Sequence, residues 1–188
     1  APGGGPVEVK PIVVTGGTGY VGSALVPHLA RRWPVRVVCT MDFGNPIAGT
    51  PNVEFVQADI RDERAVRKAM GGAWAVIHLA GIVTDELVDM APSYAQSVNV
   101  EATRDLCRWA FRANVERFLY ASSSSVYGVC DRPMRESDPT APTTAYARSK
   151  LDGELEVLAW KDRMTVAALR MATLCGPAPR MRLDTIVN

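Results

Sequence analysis

The sequence predicts an α/β domain, a parallel sheet with helices on both faces. Three observations lead there. Short apolar runs alternate with longer segments of helical periodicity. The runs are β-branched and lack polar alternation, which suits strands covered on both sides. A glycine-rich turn follows the first run and opens the first helical segment.

Taken in order, Pro11-Ile12-Val13-Val14-Thr15 reads as the first strand. A helix is expected from Tyr20 to Arg32, with Pro27 inside it as a local conflict that bends or shortens it. Val35–Cys39 and Val53–Gln57 read as the second and third strands. Asp62–Met70 reads as a helix because Ala65, Val66 and Ala69 share a face and Gly71-Gly72 ends it. Ala75–Leu79 is the fourth strand, and Arg117–Ala121 the fifth. Between them, Ser93–Ala113 is expected as one helix, with Val98, Ala102, Leu106 and Trp109 on a stripe. Thr144–Trp160 is the last helix and Thr165–Arg170 the sixth strand. Residues 1–9 read as a flexible Gly/Pro arm, and residues 10–188 as one nucleotide-binding domain.

Composition narrows the function. The 188 residues hold 21 Lys and Arg against 20 Asp and Glu, a formal charge of +1. That balance argues against a general nucleic-acid binder, which needs excess cation to neutralise phosphates. The 47% hydrophobic content excludes a disordered chain. No apolar stretch approaches ~18 residues, so no membrane span is expected. The first residues lack a basic segment followed by an apolar run, so no signal peptide is expected there, and a cytoplasmic location follows as an expectation. Cys39, Cys107, Cys130 and Cys175 show no metal-ligand spacing; free thiols in a reducing cytoplasm are the simplest account, and buried, unreactive thiols are the alternative reading, which is weighted above it. No metal site is predicted.

The turn Thr15-Gly16-Gly17-Thr18-Gly19-Tyr20-Val21-Gly22 contains Gly17-x-Gly19-x-x-Gly22 between a strand and a helix. Glycine there permits a tight turn, close approach of backbone to a pyrophosphate, and close helix–strand packing. The N–H groups at the helix start then favour the anion. A dinucleotide is therefore the expected ligand, with Gly16, Gly19, Tyr20, Val21 and Gly22 around its phosphates. An acid for the adenosine ribose is expected where the second strand ends. Thr40 occupies the usual place and Asp42 follows. Asp42 reads equally as a ribose ligand and as a turn residue, and NADP is not excluded beside NAD.

Tyr146 and Lys150 are i and i+4 on one helix face. A cation beside a phenol lowers its pKa from ~10 and makes it usable for proton transfer. A serine run, Ser122 to Ser125, follows the fifth strand. His78, at a strand end, reads as a satisfied core histidine. Asn99 reads either as a tie between helix and active-site loop or as a helix surface residue. Arg180 and Arg182 read either as diphosphate ligands or as solvated surface.

The ordered motifs TGGTGYVG, ADIRD, HLAG, NVEAT, SSSSVYG, YARSK and LRMATLCGP resemble the extended short-chain dehydrogenase/reductases, of NAD-dependent epimerase/dehydratase type. The resemblance runs from about Lys10 to the last residue. It implies a Rossmann-like doubly wound sheet in the order 3-2-1-4-5-6. It implies Ser123, Tyr146 and Lys150 as catalytic residues, with Tyr146 as acid/base and Lys150 also a ribose ligand. Asp59 with Ile60 would flank the adenine, and Leu79, Ala80 and Gly81 would line the cofactor. Ser124, Ser125 and Arg180 would face the substrate, a nucleotide sugar.

The resemblance implies hydride transfer. Members that eliminate water carry acids just after the active-site serine, where this chain has Ser124 and Ser125. Epimerisation, typically at C4, is therefore expected first. A ketoreductase acting on a keto-sugar or other small ketone is the alternative, and a non-catalytic dinucleotide-binding scaffold is a third. Extended members are longer, so the C-terminal substrate domain is expected to be truncated or absent. A homodimer is expected through the two long helices, with Trp109 and Leu158 as contacts.

Overall fold

The computed structural model describes residues 9–182. Nearly all of the predicted N-terminal arm, and the terminal Asp184–Asn188, lie outside the described residues. Six strands form one parallel sheet: β1 (Ile12–Thr15), β2 (Val35–Cys39), β3 (Val53–Gln57), β4 (Ala75–His78), β5 (Arg117–Ser123) and β6 (Thr165–Met171). Their order is β3-β2-β1-β4-β5-β6, as expected. The strand order reverses beside β1, so a crevice opens above the C-terminal ends of β1 and β4, where open α/β sheets take ligands.

Alternation along β1 divides the core. Ile12 and Val14 join Val26, Ala30, Val35 and Val37 beneath α1 (Tyr20–Leu29). Val13 faces the opposite layer with Val76, Phe118 and Tyr120. That layer holds α2 (Glu63–Met70), α5 (Ala102–Arg112) and α6 (Ala145–Leu158). Each large aliphatic or aromatic side chain buried there contributes about 1.5–3 kcal/mol. Side-chain caps start two of these helices: Asp62 accepts from Ala65 N–H at 3.1 Å, and Thr144 from Ala147 N–H at 3.1 Å. Along β6, Ala167 and Leu169 are exposed.

Several expectations need correction. α1 ends at Leu29 rather than Arg32. Pro27 has no N–H for the carbonyl of Ser23, and the helix stops within a turn of it. The helix expected over Ser93–Ala113 runs unbroken from Pro92 to Arg112, as α4 (Pro92–Gln96), a π-helical turn (Ser97–Glu101) that was not expected, and α5. One further helix, α3 (Asp85–Met90), was not predicted. It stops before Ala91, whose extended φ of −141° fits a residue that precedes proline. β5 and β6 each run further than expected, to Ser123 and Met171. Trp109 is 3% exposed and belongs to the core, so it is not a dimer contact. Only Cys107 among the cysteines is buried, and burial raises its thiol pKa; Cys130 and Cys175 are exposed. Among the described residues no helix is long and apolar enough to cross a membrane.

Candidate functional site

The glycine turn forms a cradle that side chains would fill. A Cβ on Gly16 would lie 2.7 Å from Ala80 N, and the φ of Gly16 is +69°. A Cβ on Gly22 would lie 2.5 Å from Gly17 Cα and 2.6 Å from Gly16 O. Gly17 packs against Val37, so it serves the interior. Gly19 is the N-cap of α1, and no side chain caps that end. The first turn of α1, with Tyr20, Val21 and Gly22, thus presents backbone N–H groups at the crevice. This arrangement fits a dinucleotide pyrophosphate.

The second wall is the segment after β4. Leu79 N–H bonds to Thr15 O at 3.1 Å, and Ala80 N–H to Thr15 Oγ1 at 3.3 Å. Thr15 Oγ1 also meets His78 Nδ1 at 2.7 Å, and His78 Nε2 meets Thr103 Oγ1 at 3.0 Å. The Thr103 hydroxyl donates to Asn99 O, so it accepts from His78 Nε2–H, and Nδ1 accepts from Thr15. Burial pushes the His78 pKa down to about 3, which keeps the ring neutral. His78 is thus a satisfied core histidine, as expected. Asn99 is a tie. Its Oδ1 accepts from Ile82 N–H at 2.8 Å, and its Nδ2 donates to Ile82 O at 2.9 Å and Ser149 Oγ at 3.0 Å. A Cβ on Gly81 would lie 3.0 Å from Asn99 Oδ1. The π-helical turn therefore locks the Leu79–Gly81 wall to α6.

At the adenosine end, Asp42 is exposed and accepts from the Thr40 hydroxyl at 2.7 Å. Thr18 Oγ1 donates to Cys39 Sγ. Asp59 pairs with Arg61 at 2.6 Å, and this bond holds its carboxyl below the usual range. Ile60 is buried beside it. Arg61 also stacks on Tyr94 and donates to Ser97.

At the reaction end, Ser123 ends β5, and its Oγ accepts from Ser125 N–H and from the Ser125 hydroxyl at 2.8 Å. Ser124 and Ser125 lie in the 3-10 turn Ser124–Tyr127. Tyr146 stands in the first turn of α6, half-buried. Desolvation raises its pKa, while the Ser123 hydroxyl and Arg182 lower it and Asp85 raises it. The expected lowering by Lys150 is not present. The Lys150 ammonium lies over the Tyr120 ring, 4.3 Å from its centroid, and the residue is 5% exposed. Burial pushes the Lys150 pKa down to about 7, with Glu154 opposing.

Arg180 lies elsewhere. Its guanidinium is 4.1 Å from the Phe43 ring, and its N–H donates to Ser23 Oγ. It does not line the cavity of about 610 Å³ that Ser124 shares with Tyr127, Arg170 and Met171. The sequence reading did not single out Tyr120 or Glu154. A signal existed for Glu154, an acid four residues beyond Lys150 on the same face.

The family model of the NAD dependent epimerase/dehydratase family matches residues 12–187. The chain belongs to this family. It is 30% identical over 182 residues to dTDP-D-glucose 4,6-dehydratase of Mus musculus, covering 89% of this chain and 51% of that protein. Among solved family structures, MoeE5 in complex with UDP-glucose and NAD superposes with a TM-score of 0.84 at 31% identity, over 93% of this chain and 57% of that one. UDP-N-acetylglucosamine 4-epimerase from Methanobrevibacter ruminantium M1 gives 0.80 at 26% identity, over 87% and 55%. The chain spans about half the length of the curated relatives it matches.

Proposed function

We propose that the chain carries the cofactor cradle and proton-transfer residues of an NAD-dependent enzyme acting on a nucleotide sugar, with C4-type epimerisation as the reaction. The observation that carries this reading is that Ser123, at the end of β5, and Tyr146, in the first turn of α6, stand at the same end of the parallel sheet as the glycine cradle. Bound NAD would supply a hydride acceptor and donor. Gly16, Gly19 and the start of α1 would hold its phosphates, Asp59 and Ile60 would flank the adenine, and Asp42 would meet the ribose. The Ser123 hydroxyl holds a substrate oxygen, and the Tyr146 phenol oxygen takes and returns its proton. The Tyr120 ring holds Lys150 within the core behind them, from where its ammonium would meet the cofactor's ribose. Ser124 and Ser125 are not acids, which favours epimerisation over water elimination, although dehydratases stand among the relatives. The intact Ser123, Tyr146 and Lys150 set favours an enzyme over a scaffold.

A ketoreductase is the second reading, supported by Thr40 where an acid would hold an NAD ribose. A homodimer contact belongs on α5 and α6, where Phe111 and Leu155 are exposed. The cytoplasm is the proposed location. The test is turnover of a nucleotide-sugar panel with NAD or NADP, comparing wild type with Tyr146→Phe. The proposal expects turnover of at least one sugar and a loss of about 10²–10⁴-fold in the variant. Full turnover by Tyr146→Phe removes the catalytic assignment.

A further inference from the structure

A buried charged network links three elements of the reaction end. Glu154 is 2% exposed and lies one turn beyond Lys150 on α6. Its Oε2 accepts from the Ser122 hydroxyl at 2.6 Å. Arg170, on β6, donates to it through Nε at 3.1 and 3.2 Å and through Nη2 at 2.7 Å. The other arm of the guanidinium, Nη1, donates to Tyr127 Oη at 2.9 Å and to Glu136 O at 3.2 Å. Ser122 pairs with Arg170 in the sheet register, and the next pair is Ser123 with Met171. The guanidinium therefore reaches the α6 helix that carries Tyr146 and Lys150, and the segment of Tyr127 and Glu136, while the Glu154 carboxylate carries the link on to Ser122, in the strand that ends in Ser123.

Burying such a pair brings little net stability. Apolar residues of similar volume are often as stable or more so, whereas removing one partner is costly. What the pair supplies here is direction. The planar fork fixes Glu154 in angle as well as distance, and the remaining donor pins Tyr127 and Glu136. The loop is also tied to Val126 O by Ala141 N–H, to itself by the Arg132–Asp138 pair, and to the start of α6 by Arg148 Nη2 on Pro142 O at 3.4 Å and by the Thr144 cap. The ties to α6 lie at the loop's last residues, whereas Arg170 holds its middle at Glu136.

We propose that Arg170 and Glu154 act as a positioning clamp that holds the Ser123 strand end and the loop of residues 128–144 in register with the Tyr146–Lys150 helix. The consequence for ligand binding rests on the proposed function; the positioning itself does not. A sugar-side ligand then meets a wall already ordered, so less ordering is left to binding.

The experiment compares wild type with Glu154→Met/Arg170→Met and with Tyr127→Phe. It measures thermal midpoint, hydrogen–deuterium exchange, and binding of NAD and of UDP-glucose in the presence of NAD. The double variant is expected to melt near wild type or above it. Exchange over residues 124–144 is expected to rise about tenfold with exchange in α1 unchanged. UDP-glucose affinity is expected to fall about tenfold while NAD affinity changes less than about twofold. Unchanged exchange over residues 124–144 in a folded double variant overturns the clamp. If the double variant does not fold, Tyr127→Phe and Arg170→Lys carry the test, and unchanged exchange in both overturns it. If wild type binds no UDP-glucose, the nucleotide-sugar reading fails and the exchange result still decides the clamp.

Discussion

Replacing Lys150 by methionine should stabilise the fold at neutral pH and below, although it removes a proposed catalytic residue. Burial lowers the Lys150 pKa from 10.5 to about 7. At about 1.4 kcal/mol per unit, the fold opposes the charged ammonium by at most about 5 kcal/mol. The cation–π contact with Tyr120 recovers about 0.5–2 kcal/mol and is lost in the variant. A net gain of at most about 3–4.5 kcal/mol follows, or about 6–18 °C in a domain of this size. The sign with pH is specific. Between about 7 and 10.5 the unfolded chain holds the Lys150 proton and the folded chain does not, so this contribution makes stability rise with pH. The gain from Lys150→Met should therefore be full below pH 7 and vanish near pH 10.5. Burial of Tyr120 and Cys107 affects both proteins alike, so the difference between them isolates Lys150. Urea unfolding of both proteins from pH 6 to 10.5 reads this directly. A variant less stable than wild type by the same amount at every pH would refute the reasoning.

Two further outcomes follow from the same geometry. Asn99→Ala removes the partner of both backbone groups of Ile82 and one donor to Ser149 Oγ, which keeps its bond to Tyr146 O. It should cost about 2–4 kcal/mol in denaturant unfolding and weaken NAD binding, and an unchanged midpoint would contradict the locking role. The Tyr120 hydroxyl is buried without a hydrogen-bond partner among the described residues, so Tyr120→Phe should be neutral or stabilising by about 1–2 kcal/mol; a clear loss of stability would show a partner.

The sheet was legible because its central runs are short and apolar, and a run such as Ile12–Thr15, buried at every position, suits a strand covered on both faces. The cradle was legible because its physics is local: Gly16 and Gly22 answer to backbone a few residues away or directly across β4. The π-helical turn within the helix that starts at Pro92 was not legible. A π-helical turn adds one residue per turn and leaves an apolar stripe such as Val98, Ala102 and Leu106 readable as one helix. The partners of charged groups were hidden for a different reason. Spacing placed Lys150 near Tyr146 but did not reveal Tyr120, which comes from β5 and takes the ammonium. It also did not show that Arg170, an arginine in a largely apolar strand, pairs with Glu154 of α6. Arg180 read equally as a diphosphate ligand and as solvated surface, and its place over Phe43, with its N–H on Ser23 of α1, depends on how the segment after β6 crosses that helix.

Calorimetric titration of NAD into wild type and Gly22→Ala tests the central claim most directly. The account predicts one site in wild type. It also predicts none in the variant, because the added Cβ would stand 2.5 Å from Gly17 Cα and break the cradle. Silence in wild type, or equal binding by a folded Gly22→Ala, would contradict it.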